Sequence, residues 1–166
     1  HAFGPERFCR EAVAAGIDGL IVPDMPPDEA GPLQGPAAAS GLQLIFLLAP
    51  TSTAERRAYV ARQSKGFVYY VSLTGITGAK LSNVADVGKN VEKIRKVART
   101  PVAVGFGVAT PDDAAKVSAI ADGVIVGSAI VKRIAAHQQQ AGMVGQVAGF
   151  VRSLKAAMAP QHPSAG

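Results

Sequence analysis

Short apolar runs without polar alternation recur along the chain, and helix-sized segments separate them. The runs start near Gly19, Gln43, Phe67, Val102 and Gly123, at intervals of 24, 24, 35 and 21 residues. Apolar runs of this kind are typical of strands that are buried on both faces, as in parallel sheets. Five successive βα units therefore predict an α/β protein with a parallel sheet and right-handed crossovers.

The pattern also places the individual elements. The predicted strands cover residues 18–22, 42–48, 67–72, 102–106 and 123–126. Helices are predicted from Pro5 to Gly16, after a cap at Thr51–Glu55, from Val87 to Val97, after Thr110–Asp113, from near Ala129, and from about Val144 to Met158. Gly31, Pro32 and Pro36 predict irregular structure after Asp28. We expect one domain over residues 1–158 and a frayed tail at 159–166.

Glycine turns follow the last two predicted strands and lead into helices. Gly107 and Gly127 lie 20 residues apart, and Ser128 follows the second of them. Glycine lets backbone N–H groups approach a ligand, and a helix N-terminus favours an anion. In (β/α)8 barrels the loops after the last two strands commonly bind phosphate. The pair of turns predicts a phosphate site, although each glycine alone is also explained by a tight turn.

Two architectures are compatible with repeated βα units. An open doubly wound sheet is one, but no GxGxxG fingerprint follows the first strand. The other is a partial (β/α)8 barrel in which this chain supplies strands four to eight and a C-terminal helix. Since about 250 residues are usual for the whole barrel, we expect three βα units upstream of His1.

Composition narrows the range of functions. The chain has 166 residues, is 48% hydrophobic and 17% charged, and carries a net charge of +5. These values indicate a globular protein and favour an anionic substrate. Lysines and arginines are scattered rather than arranged in a stripe, so nucleic acid is not an expected partner. No apolar run is long enough for a membrane span, and no secretory signal opens the chain.

Few side chains suggest metal or thiol chemistry. The single cysteine, Cys9, lies on an apolar helix face and is expected to be a buried thiol in a reducing, cytoplasmic compartment. The histidines His1, His137 and His162 show no ligand spacing, so we expect no metal site. Asp18 and Asp122 lie at strand starts, where structural roles are expected.

Five motifs together resemble one family. In order and spacing, the segments from Pro5 to about Leu154 resemble the alpha subunit of tryptophan synthase. The motifs are Gly19–Asp24, Leu48–Thr51, Tyr70–Ala79, Val104–Gly107 and Val126–Lys132. The glycine turns alone would be a weak signal, whereas the loop Thr74–Gly78 combined with Gly105–Gly107 is more specific.

The resemblance implies a lyase that cleaves indole-3-glycerol phosphate to indole and glyceraldehyde 3-phosphate without a cofactor. It also implies a beta subunit as partner, which receives the indole. Carried over by position, the phosphate contacts are Gly78, Gly107, Gly127 and Ser128. The residues that pack on indole and glycerol are Ile21, Leu47, Tyr69, Phe106 and Ile125. The same resemblance implies that Thr77 belongs to a mobile loop that closes over the substrate.

The resemblance places the catalytic glutamate and aspartate of the family upstream of His1. Asp24 is then the one serious candidate for a replacement, but it matches an aspartate of the loop that faces the beta subunit. That loop is Asp24, Met25, Pro26 and Pro27. We therefore expect this chain alone to be inactive.

Two further functions stay open at this point. One is a non-catalytic phosphosugar-binding half-barrel that docks to a partner through the Asp24–Pro27 loop. The other is a different phosphosugar barrel enzyme, such as an isomerase of aromatic or histidine biosynthesis. Because five strands leave two unpaired edges, we also expect the isolated chain to self-associate.

Overall fold

Helices and parallel strands alternate along the chain in the computed structural model, which describes residues 3–71, 84–105, 107–138 and 140–158. The helices are α1 (Pro5–Ala14), α2 (Gly31–Ser40), α3 (Ala54–Gln63), α4 (Val84–Arg95), α5 (Pro111–Ser118), α6 (Ser128–His137) and α7 (Met143–Ala157). The strands are β1 (Gly19–Ile21), β2 (Gln43–Ile45), β3 (Leu47–Leu48), β4 (Val68–Val71), β5 (Val102–Gly105) and β6 (Gly123–Val124).

All pairings between these strands are parallel, as the sequence predicts. β1 pairs with β2, and β3, β4, β5 and β6 form a second sheet in that order. β2 and β3 are two pieces of the predicted strand 42–48, separated by Phe46 alone. β1 therefore lies on one side of the segment formed by β2 and β3, and β4 lies on the other side. This strand order is that of a partial barrel.

The backbone N–H of Phe46, at the break between β2 and β3, has a side-chain partner. The Phe46 N–H donates to the hydroxyl oxygen of Ser64, over 3.2 Å, while the Phe46 carbonyl accepts from the Tyr69 N–H at 3.1 Å. Ser64 is 2% exposed, so water does not compete for this bond. The side chain thus satisfies a buried backbone donor that has left the ladder.

Replacing Ser64 with alanine should lower the free energy of unfolding by about 1–3 kcal/mol, because the buried Phe46 N–H loses its acceptor. Chemical denaturation measures this directly. Ser118→Ala is the matched control, since the Ser118 hydroxyl donates to the Ala115 carbonyl within its own helix α5. A loss for Ser64→Ala no larger than that of the control would contradict the assignment.

The two faces of the sheet differ in what they contact. Leu44, Phe46 and Leu48 belong to the core cluster beneath the helices, together with Val68, Tyr70, Val102 and Val104. Successive residues of a strand point to opposite faces. Ile45, Leu47, Tyr69 and Ala103 therefore lie on the other face, which corresponds to the inside of a barrel; we call it the inner face.

At the amino ends of the strands, Asp122 joins three elements. Its carboxylate accepts from the Arg95 guanidinium of α4 at 2.7 Å and from the Val102 N–H of β5 at 2.8 Å. The hydrogen bond from Arg95, together with that from Val102, lowers the pKa of Asp122. This is the structural role expected for Asp122.

Because the pKa of Asp122 is lowered in the folded state, its carboxylate contributes fully to the free energy of unfolding above the unfolded pKa of about 3.9. This contribution is lost as the pH falls below that value. Asp122→Asn should lower the free energy of unfolding by about 1 kcal/mol at pH 7, a small value because solvent screens the pair. The difference from the unmodified chain should shrink below about pH 4. Unfolding measured from pH 3 to pH 7 tests this; a difference that stays constant with pH would contradict it.

The structure corrects two predicted elements. Residues 31–40 form helix α2 rather than irregular chain; Pro32 falls in the first turn, where no N–H is needed, and Gly41 ends the helix with a φ of +76°. Pro36 is accommodated inside this helix, which packs on α1. β1 is not buried as predicted, because in the described chain it pairs on one side only.

Other predictions are confirmed with shifted ends. β6 ends at Val124 rather than Val126, and α4 begins before the predicted Val87. Cys9 is fully buried, and burial raises the pKa of its thiol, as expected for a core residue. The predicted loop 73–83 and the predicted tail 159–166 lie outside the described residues.

Candidate functional site

The two glycine turns lie side by side at the carboxyl ends of β5 and β6. Ala103 is in register with Gly123, and Gly107 and Gly127 each follow these partners by four residues. The pairing continues past β6, because the Ile125 N–H donates to the Val104 carbonyl at 2.9 Å. The interval of 20 residues in the sequence therefore equals the register between the strands.

The N-terminus of α6 is open. Its N-cap is Gly127, which makes no side-chain capping hydrogen bond, and the first turn contains no acidic residue. A β-carbon built on Gly127 would have no atom of the described residues within 4 Å, so this part of the chain leaves space in front of the helix end. Ser128 is exposed beside it. Unpaired N–H groups at such an end attract an anion.

The neighbouring helix α5 is closed by its own side chains. The Thr110 hydroxyl accepts from the Asp113 N–H at 3.1 Å. One Asp113 carboxylate oxygen accepts from the Ala109 N–H at 3.1 Å and the Thr110 N–H at 3.0 Å. These bonds form a capping box and place a negative charge at the start of α5. This charge disfavours an anion at the start of α5, whereas the first turn of α6 carries no acidic residue.

Gly107 lies in the turn between β5 and this capping box. It is exposed and has a φ of +54°, a conformation that side chains disfavour. The next residue, Val108, is buried in the core at 4% exposure and anchors the turn. Gly107 therefore exposes its backbone in the turn that neighbours the turn before α6.

The predicted apolar contacts share the inner face. Ile21 is in register with Ile45, Leu47 with Tyr69, and Tyr69 with Ala103. Ile125 lies two residues beyond Gly123, the partner of Ala103, and so points to the same face. Ile21 is 41% exposed, whereas Leu47, Tyr69 and Ile125 are partly buried. These side chains form an apolar surface below the glycine turns.

Tyr69 reaches across this surface to β5. A β-carbon on Gly105 would lie 2.6 Å from the Tyr69 hydroxyl oxygen and 2.7 Å from its ring carbon Cε2. The ring therefore covers the Gly105 backbone, and burial raises the pKa of the Tyr69 hydroxyl. Gly105 was part of a sequence motif, but only the structure shows that it makes room for Tyr69.

Three predicted site residues, Thr77, Gly78 and Phe106, lie outside the described residues. The loop Asp24–Pro27 follows β1 at the same edge of the sheet as the glycine turns. Asp24 is exposed there, whereas Pro27 is buried and Met25 packs on the core.

A contact that the sequence did not predict fixes the chain just after this loop. The Asp28 carboxylate accepts a hydrogen bond from the Arg56 guanidinium of α3, which lowers the pKa of Asp28. Arg56 also lies over the Tyr59 ring, 5.6 Å from its centroid. Asp28 and Arg56 are 28 residues apart, so no local pattern pointed to this pair.

Within the described chain, no group of three or more metal-ligating side chains occurs. No helix of that part has the length and apolar character of a membrane span.

The fold defines the class of protein: the chain is part of a (β/α)8 barrel. The family model described as tryptophan synthase alpha chain matches residues 1–159. The chain belongs to the tryptophan synthase alpha chain family.

Curated relatives and solved structures agree with this assignment. The tryptophan synthase alpha chain of Geobacter sulfurreducens is 51% identical over 156 residues, covering 93% of this chain and 58% of the relative. That of Geobacter sp. strain M21 is 49% identical over 154 residues, covering 93% and 57%. A tryptophan synthase structure from Mycobacterium tuberculosis matches with a TM-score of 0.83 and 38% identity, covering 95% of this chain and 58% of that one. The alpha subunit from Legionella pneumophila strain Paris matches with a TM-score of 0.82 and 32% identity. The chain thus spans just over half the length of these relatives.

Proposed function

We propose that this chain forms the phosphate- and indole-binding part of a tryptophan synthase alpha chain in tryptophan biosynthesis. The reaction is the retro-aldol cleavage of indole-3-glycerol phosphate to indole and glyceraldehyde 3-phosphate. The observation that carries the proposal is the open N-terminus of α6 in register with Gly107, directly above an apolar surface. This arrangement suits a molecule with a dianionic end and a flat apolar end.

The phosphate is assigned to the backbone N–H groups around Gly107, Gly127 and Ser128, with the Ser128 hydroxyl as a further donor. Gly78 joins them by the family resemblance. Backbone donors fixed by the sheet need no rearrangement when the ligand binds, so they hold the phosphate in one position. The +5 net charge of the chain favours the approach of such an anion.

The indole and glycerol are assigned to the inner face, against Ile21, Leu47, Tyr69 and Ile125. Phe106 joins them by the family resemblance. Burial of a flat apolar ring against aliphatic and aromatic side chains supplies affinity, and the phosphate contacts supply orientation. Thr77 is assigned to the loop that closes over the bound substrate. The retro-aldol step then needs one group to protonate the indole carbon and another to remove a hydroxyl proton.

We assign both proton-transfer groups to residues outside this chain. A general acid needs a carboxyl group whose pKa is raised by an apolar environment. The shifts go the other way at Asp28, whose pKa is lowered by Arg56, and at Glu55, whose pKa is lowered by backbone hydrogen bonding at the start of α3. Asp24 is exposed on a loop. We therefore propose that the 166 residues bind substrate but do not complete catalysis.

The partner is proposed to be a tryptophan synthase beta subunit, docked on the Asp24–Pro27 loop. This loop is at the substrate edge of the sheet, so a subunit bound there would be close to the released indole. Met25 and Pro27 anchor the loop to the core while Asp24 stays exposed. The cytoplasm is the proposed compartment.

Indole release from indole-3-glycerol phosphate tests the proposed function. The chain is assayed alone and then fused to the part of the Geobacter sulfurreducens relative that it does not match. We expect activity for the fusion and none for the chain alone. Turnover by the chain alone would refute the assignment of the proton-transfer groups. A folded but inactive fusion that still binds glycerol phosphate would favour a binding role without catalysis.

A further inference from the structure

We propose that Asp113 is a positioning residue for phosphate binding, acting through the turn that carries Gly107. The inference rests on the proposed phosphate site. Asp113 is on α5 and does not belong to the donors assigned to the phosphate. Its carboxylate instead accepts hydrogen bonds from Ala109 and Thr110, which connect Gly107 to α5.

The hydrogen bonds define this role. One oxygen of Asp113 accepts from two consecutive N–H groups, those of Ala109 and Thr110, at 3.1 and 3.0 Å. Val108, between these groups and Gly107, is inserted into the core. The turn after Gly107 is thus fixed by two bonds and one buried side chain. Gly107 has the conformational freedom of glycine, so its N–H direction depends on these neighbours.

The other hydrogen bond of the capping box, made by the Thr110 hydroxyl, allows the positioning role to be tested separately from helix stability. The Thr110 hydroxyl accepts from the Asp113 N–H and caps α5, but it does not hold the Ala109 N–H. Thr110→Ala therefore weakens the helix cap and leaves the carboxylate bonds to the turn in place. Asp113→Ala releases the turn itself.

The charge of Asp113 alone predicts a change in phosphate affinity opposite to the change that a positioning role predicts. Asp113 is negative and lies at the start of the helix next to a dianion site, so its removal alone would strengthen phosphate binding. If Asp113 holds the Gly107 turn, its removal instead weakens binding, because a donor to the phosphate loses its direction. The sign of the change distinguishes the two roles.

The test measures the binding of glycerol 3-phosphate to the 166-residue chain through the broadening of the ligand's ³¹P signal. This signal can be measured whether the chain is a monomer or an oligomer. We expect the dissociation constant to rise about tenfold for Asp113→Ala, the loss of one charge-assisted hydrogen bond. Thr110→Ala should leave it within about twofold at a temperature where both variants are folded. Asp112→Ala is the charge control, because Asp112 is in the same turn and pairs with Lys116.

Unchanged or tighter binding by folded Asp113→Ala would overturn the positioning role while leaving the phosphate site intact. An equal loss for Thr110→Ala would also overturn it, since helix stability would then explain both. Absence of binding by the unmodified chain would overturn the phosphate site and this inference with it.

Discussion

Glycerol 3-phosphate binding is expected to fall at least about 100-fold when Gly127 is replaced by valine, since two or more charge-assisted N–H contacts would be blocked. A β-carbon at Gly127 would have no atom of the described residues within 4 Å, so the substitution begins in open space there. The valine methyl groups would then occupy the position assigned to the phosphate and cover the donors at the start of α6. Calorimetry on the unmodified chain and the variant measures the effect.

The thermal unfolding temperature should change little in the same variant, because the added β-carbon contacts no atom of the described chain within 4 Å. Gly145→Val in α7 is the matched control, since a β-carbon at Gly145 likewise has no atom of the described chain within 4 Å. That variant should bind normally. Normal binding by Gly127→Val would mean that the phosphate is held elsewhere.

Replacing Gly105 with alanine should both destabilise the fold and disturb the indole surface. The added carbon would lie within 2.7 Å of two atoms of Tyr69, so the ring must move off β5. Overpacking of this kind costs about 1–3 kcal/mol. Chemical denaturation measures the stability, and indole binding to the folded variant measures the surface.

A double substitution shows whether Tyr69 is the cause. Tyr69→Leu removes the ring that the new carbon would strike, so Gly105→Ala should cost much less in that background. Gly88→Ala serves as the control, because its β-carbon would be 3.5 Å from Ile120, an ordinary contact. Equal costs of Gly105→Ala with and without Tyr69 would contradict the proposed clash.

The sequence predicted the features that depend on local pattern and on spacing along one strand pair. Five apolar runs indicated parallel βα units. The 20-residue interval between Gly107 and Gly127 placed them correctly at one edge, because it equals the register of β5 on β6. The cap at Thr110 and Asp113 could also be recognised, since capping is decided within four residues.

Features that depend on contacts between residues far apart in the sequence could not be predicted from local patterns. Nothing near Phe46 indicates that its N–H finds Ser64, which is 18 residues away. The prolines of α2 suggested irregular chain because packing on α1 does not appear in a local pattern. The exposure of β1 depends on which strands lie beside it, and Gly105 acquires its meaning only through Tyr69 on the neighbouring strand.

The most direct measurement is a titration of the ¹⁵N-labelled chain with glycerol 3-phosphate, followed through the backbone amide signals. We expect the largest shifts on the amides of Gly107, Gly127 and Ser128, with small shifts at the start of α5. Shifts concentrated on α5, or on residues away from the carboxyl ends of β5 and β6, would contradict it.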